Sequence, residues 1–151
     1  MVAILTDVGN SRSLNEDFAS YIEKDDYSVY VVADGMGGHN AGEVASRMAS
    51  VGIVEYIYHH FNDIEKEKLL RRAVKKVNLD VFNHSKENEK LNGMGTTITA
   101  CLTFQDKIQV ANVGDSSCFG IRNNDIVFPK IDKFVNYQIG MVKHTKFLVL
   151  K

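Results

Sequence analysis

Between Tyr27 and Ala33 every residue but Ser28 is apolar, and the run ends on an acid, Asp34, with glycines following at positions 35, 37, 38 and 42. A nearly continuous apolar run of this length reads as a strand buried on both faces. A carboxylate where the chain leaves the sheet is costly to bury unless it is paired or holds a cation. The glycines let the backbone pass close to a ligand. An Asp oxygen beside a backbone carbonyl is hard-oxygen ligation, which suits Mg²⁺ or Mn²⁺ better than zinc. The plainer alternative is a turn Asp bonding its own backbone.

The N-terminal part alternates strands and turns. Val2 to Leu5 is a short, mostly apolar run, 7–17 a polar loop, and 18–22 a strand turning through Lys24-Asp25-Asp26 into the inner strand. After the glycines the period becomes helical. Val44, Met48, Val51, Val54 and Tyr58 form a stripe, and Asn40 with Glu43 has the form of a capping box, so a helix starts near Ala41. A second helix covers 65–82 with Leu70, Val74, Val77 and Val81 inward and a charged outer side, which reads as a solvated face. Residues 85–92 read as loop. Strands follow over 96–104, 107–113, 117–121 and 125–128, the last two joined by Asn123-Asn124, a pair that tolerates positive φ. Strands, two helices, then hairpins predict an α+β fold with antiparallel sheets.

At 151 residues, with 18 basic against 19 acidic side chains, the chain has the size of one domain and a net charge of −1. That balance gives no general pull toward nucleic acid or anionic membrane. No apolar run approaches the roughly 18 residues of a membrane span, and residues 1–9 lack the form of a signal peptide. The expectation is a soluble cytoplasmic protein. Cys101 and Cys118 are too few for a disulfide scaffold and read as reduced interior thiols.

Three polar constellations are candidates for chemistry: Arg12, Asn15, Glu16 and Asp17 before a strand; Asp34 to His39 between strand and helix; and Gly114-Asp115-Ser116 after a strand. A dinucleotide fingerprint fits poorly, because Asn40 stands where a third glycine belongs and an acid precedes the glycines. No G-K-[ST] follows, which excludes a Walker-type phosphate loop.

Taken in order, Arg12-x-x-Asn15-Glu16-Asp17, Val31 to His39, Ala41-Gly42-Glu43, Gly93-Met94-Gly95-Thr96-Thr97 and Ala111 to Ser116 resemble the metal-dependent protein serine/threonine phosphatase family, type 2C, in its bacterial form. The resemblance covers about residues 1–128, an N-terminal part of such a domain. It fades over 129–151, a divergent basic and apolar tail that reads as an edge strand or a poorly ordered terminus rather than a partner or membrane surface. It implies an antiparallel β-sandwich flanked by helices (α-β-β-α) and hydrolysis of phosphoserine and phosphothreonine in proteins, the products of a serine/threonine kinase. It further implies two Mn²⁺ or Mg²⁺ ions, with a weaker third. By the same resemblance Asp34 bridges the metals, the Gly35 carbonyl binds one of them, Asp17 and Glu16 hold metal-bound waters, Asp115 serves the third ion, and Arg12 grips the substrate phosphate. Met36 stands where some relatives carry a general-acid histidine, leaving His39 as a stand-in whose other reading is a cap-region side chain.

The physics agrees with that set. Two cations about 3.5–4 Å apart neutralise a phosphate ester and sharpen a shared water toward hydroxide, so no Ser, Cys or His nucleophile is required. A guanidinium meets two phosphate oxygens at once. The family's later Asp-Gly and Asp-Asn motifs do not occur after Asp115, and Ser117 stands where an arginine is usual. The chain therefore reads as apparently truncated at its C-terminal side. Its alternative function is that of a catalytically weak or inactive remnant, at most a binding module.

Overall fold

The computed structural model describes residues 2–37, 41–127, 137–140 and 146–150. Strands β1 (Asp17–Glu23) and β2 (Tyr27–Met36) form a hairpin, closed by the Lys24 N–H donating to the Tyr27 carbonyl at 2.8 Å. Helices α1 (Ala41–His60) and α2 (Lys66–Glu87) follow, then a 3₁₀ turn at Glu89–Leu91. The chain returns to sheet with β3 (Gly95–Thr96), β4 (Ile98–Phe104), β5 (Lys107–Val113), β6 (Ser117–Arg122), β7 (Asp125–Val127), β8 (Tyr137–Gly140) and β9 (Lys146–Leu150). One sheet runs β1-β2-β4-β5-β8 with β3 added to the end of β2; the other runs β7-β6-β9. Every pairing is antiparallel. The architecture is α+β, as the order of elements predicts, and the tail segments β8 and β9 lie at sheet edges.

Strand alternation sorts the larger sheet into two faces. Tyr27, Val29 and Val31 on β2 meet Leu102 and Ala100 on β4 and pack under both helices with Ile53, Ile57, Leu69 and Leu70. The opposite face carries Tyr30, Cys101, Ile108 and Val110, and it meets the smaller sheet through Cys118. Among the described residues both helices lie on one side, against the larger sheet. The inner strand differs in one respect from a strand buried on both faces: its helix-facing residues are buried, whereas Ser28, Tyr30, Val32 and Asp34 are half-buried. Burial pushes the Cys118 thiol up to about 11 and the Cys101 thiol well above its usual range. Both cysteines are free and buried.

The register of α1 departs from its hydrophobic stripe. Ala41, Ala45, Ala49, Ile53 and Ile57 are its fully buried apolar side chains, with Val44, Met48 and Val54 at the flanks and Tyr58 half exposed. Small side chains let the helix axis approach the sheet closely, and fit at short range outweighs the larger transfer energy of Val or Met. Helix α2 runs past residue 82 to Glu87, its last turn held by buried Ser85, whose hydroxyl donates to the Phe82 carbonyl at 2.7 Å. Residues 2–8 form no strand, and Leu5 is 96% exposed. The Asn123-Asn124 loop has φ of 51° and 65°, the paired positive values of a tight two-residue hairpin.

Candidate functional site

The site is built at the end of β2. Antiparallel pairing seats Asp17, the first residue of β1, directly opposite Asp34. Both belong to the sheet face that carries Tyr21 and Tyr30, away from the helices. Just before β1, the Asn15 carboxamide oxygen accepts the Asp17 N–H at 3.0 Å and its amide donates to the Thr6 hydroxyl at 2.7 Å. This turn fixes where Asp17 enters the sheet. Glu16 reaches the same place twice. Its carbonyl accepts the Gly35 N–H at 3.0 Å, and its carboxylate pairs with Arg12 at 3.2 Å. The Arg12 side chain is exposed and that of Glu16 is largely covered.

Two glycines make this proximity possible. A Cβ on Gly35 would fall inside contact distance of the Gly42 carbonyl and 2.7 Å from the Glu16 carbonyl oxygen. A Cβ on Gly42 would strike the Glu16 carboxylate and lie 2.9 Å from the Gly35 carbonyl carbon. The start of α1, the end of β2 and the Glu16 loop thus touch main chain to main chain, with no room for a methyl group.

The main chain of Asp34 is held from the other side by the β3–β4 junction. Its carbonyl accepts the Thr97 N–H at 2.8 Å and the Thr96 hydroxyl at 2.9 Å, and its N–H donates to the Thr97 hydroxyl oxygen at 3.0 Å. Buried Thr97 also meets the Ser116 hydroxyl at 3.1 Å, and Gly114, at φ +111°, lies against Thr97 with no room for a Cβ. The sequence reads Thr96 and Thr97 as strand residues, with Gly93 and Gly95 before them allowing close packing, and nothing in it points to hydroxyls that bond main chain. Replacing Thr97 by Val is expected to cost about 1–3 kcal/mol, the scale for stranding a buried hydrogen-bonding group. Urea unfolding measures this, and Thr97→Ser should recover most of it.

The structure thus brings together Arg12, Glu16, Asp17, Asp34 and Gly35, and joins the Gly114-Asp115-Ser116 loop to them through Ser116 and Thr97, with Asp115 exposed. His39 and the Asn40 cap lie outside the described residues. The donors here are carboxylate and carbonyl oxygens, which fit a hard divalent cation in kind. Among the described residues, no three His, Cys, Asp or Glu side chains gather as a metal-holding group.

Two antiparallel sheets, helices against the larger one, and an acid pair at the exit of the inner strand define an α+β sandwich whose oxygen-rich site sits at one sheet end. The family model for protein phosphatase 2C matches residues 9–140, and the chain belongs to that family. It is 39% identical over 124 residues to the serine/threonine phosphatase stp of Listeria monocytogenes, covering 79% of this chain and 49% of that protein. It is 29% identical to the protein phosphatase PhpP of Streptococcus pneumoniae, covering 82% of this chain and 51% of that one. The chain therefore spans about half the length of these curated relatives. Among solved structures, a variant of a bacterial serine phosphatase superposes with a TM-score of 0.74 at 31% identity, over 97% of this chain and 69% of that one. The catalytic domain of the serine/threonine phosphatase PstP, in complex with two manganese ions, gives 0.65 at 31% identity over 81% and 51%. No helix among the described residues is long and apolar enough to cross a membrane.

Proposed function

We propose that the protein hydrolyses phosphoserine and phosphothreonine in phosphoproteins, with solvent as nucleophile, at a site for Mn²⁺ or Mg²⁺. The observation that carries this reading is the register seating Asp17 opposite Asp34 on a strand end fixed by Thr97 and Gly42. Asp34 and the Gly35 carbonyl would hold metal directly, Asp17 and Glu16 would hold metal-bound waters, and Asp115 would serve a weaker third ion. The two manganese ions of the PstP complex support a dinuclear site. When bound, divalent ions offset the negative charge of the phosphate and acidify water.

The chain's own residues orient the substrate. Arg12 presents parallel N–H donors to two phosphate oxygens, a geometry that lysine lacks. Its pairing with Glu16 keeps it at this end of the sheet, and the exposed guanidinium is open to an incoming anion. His39 is assigned the proton donated to the departing serine or threonine oxygen. The substrates on this reading are proteins phosphorylated by a serine/threonine kinase.

One observation favours a second reading. The described acids fall short of a three-ligand cluster, and Mg²⁺ binds weakly to so few protein charges. The chain would then be a catalytically weak or inactive phosphatase-like module that binds phosphoprotein at most. Hydrolysis of p-nitrophenyl phosphate with Mn²⁺, with and without chelator, separates the two. Turnover is expected to need the metal and to fall roughly 10²–10³-fold in Asp34→Ala, the scale set by loss of one electrostatic stabiliser. A folded sample without metal-dependent turnover leaves the binding-module reading in place.

A further inference from the structure

The outer face of α2 is not a typical solvated helix surface. Its inner side is fixed by Leu69, Leu70, Ala73, Val77 and Val81. Opposite them runs a stripe of Lys68, Arg71, Lys75, Leu79, Phe82 and Lys86, all exposed. Leu79 and Phe82 are each 57% exposed. Solvated helix faces usually interleave charges at i, i+4, where opposite signs stabilise and like signs cost about 0.2–0.5 kcal/mol per pair. Here Arg71 faces Lys75, Lys68 faces Arg72, and Arg72 faces Lys76 at that spacing, while Glu67, four residues before Arg71, is engaged by Lys107. Lys68 and Lys76 are neutralised by Glu65 and Asp80, whereas among the described residues Arg71 and Lys75 form no ion pair. At the C-terminal end of the stripe Lys86 lies over the Phe82 ring, 5.5 Å from its centroid. Two cations without an ion pair thus lie on the same helix face as an exposed leucine and phenylalanine.

We propose that this face docks an acidic polypeptide segment that carries apolar side chains. Arg71 and Lys75 receive its carboxylates, and Leu79 and Phe82 receive its apolar residues. The pattern of charge next to apolar anchor is that of helix-surface recognition, in which charge complementarity sets orientation and rate, and aromatic burial supplies hold. A lipid surface fits less well. An interfacial helix buries a broad apolar face, and the broad apolar face of α2 is already packed against α1 and the larger sheet. Its outer side offers two apolar residues, with Asp80 and Glu87 close in sequence.

The test uses the full chain and a fluorescein-labelled short peptide of glutamates with interspersed Leu and Phe, followed by anisotropy. Controls are the same peptide with lysine for glutamate, the same peptide with serine for Leu and Phe, and vesicles of phosphatidylserine and phosphatidylcholine. The acidic apolar peptide should bind, weaken as salt screens the charges, and lose affinity about tenfold or more in the Arg71→Glu, Lys75→Glu double variant. Leu79→Ser with Phe82→Ser should weaken it independently of salt. Far-UV circular dichroism checks that the helix survives, and a milder Arg71→Gln, Lys75→Gln pair replaces the reversal if it does not. Three outcomes overturn the proposal: no binding of the acidic peptide, equal binding of the serine-substituted control, or binding to anionic vesicles alone.

Discussion

Gly35→Ala is expected to unfold or severely destabilise the protein and to abolish any activity of the site. The added methyl group meets two main-chain carbonyls, those of Gly42 and Glu16. Neither belongs to a flexible side chain that could swing aside. Relief requires the first turn of α1 to move off β2 or the Glu16 loop to leave the sheet, and the second movement breaks the Gly35 N–H bond to Glu16. Overpacking in well-packed regions costs about 1–3 kcal/mol, occasionally more, and a rigid backbone obstacle belongs at the upper end. Against a total stability of about 5–15 kcal/mol the loss is large. A urea titration of Gly35→Ala beside the parent protein measures it. An unchanged midpoint would show that the strand end and helix start are not in register as described.

The second large effect is Leu102→Ala. Leu102 is fully buried at the middle of β4, with Val29 of β2 beside it and Gln109 of β5 on its other flank. It lies on the face that receives both helices. Truncation removes apolar contact and leaves a cavity under rigid neighbours, for which Leu→Ala costs about 2–5 kcal/mol. Leu79→Ala serves as the control. It deletes the same atoms from an exposed position of α2 and should shift stability by no more than about 0.5 kcal/mol. Equal effects at the two positions would contradict the burial assigned to β4.

Much of this was readable from residues. The continuous apolar run gave the inner strand, and its terminal acid lies at the end of the sheet, facing a second acid. The Asn123-Asn124 pair named its own turn because few other residues accept positive φ twice in succession. Strand β5 has the bounds read from the sequence, 107–113. Other features were hidden for identifiable reasons. The sheet-facing side of α1 is made of alanines, and a search for large apolar residues points instead to Val44 and Met48 on its flanks. The extra turn of α2 falls on Ser85 to Glu87, a polar stretch that composition reads as loop, where the Ser85 hydroxyl bonds back to the Phe82 carbonyl. Thr97 resembles any β-branched strand residue until its hydroxyl is seen accepting the Asp34 N–H. Membership of the protein phosphatase 2C family was visible in five short motifs, and the matched range of 9–140 includes β8 within the tail.

The clamp on Asp34 also has a temporal consequence. Its partner Thr97 lies 63 positions further along the chain. During synthesis the ribosome releases Arg12, Glu16, Asp17 and Asp34 long before the segment that immobilises them has emerged. Closing so long a loop delays contact formation, so the Asp34 main chain gains its bonds to Thr96 and Thr97 only when β4 docks beside β2. A newborn chain halted before that point has the segments that pair Asp17 with Asp34 but lacks the Thr96 and Thr97 bonds that hold the Asp34 main chain.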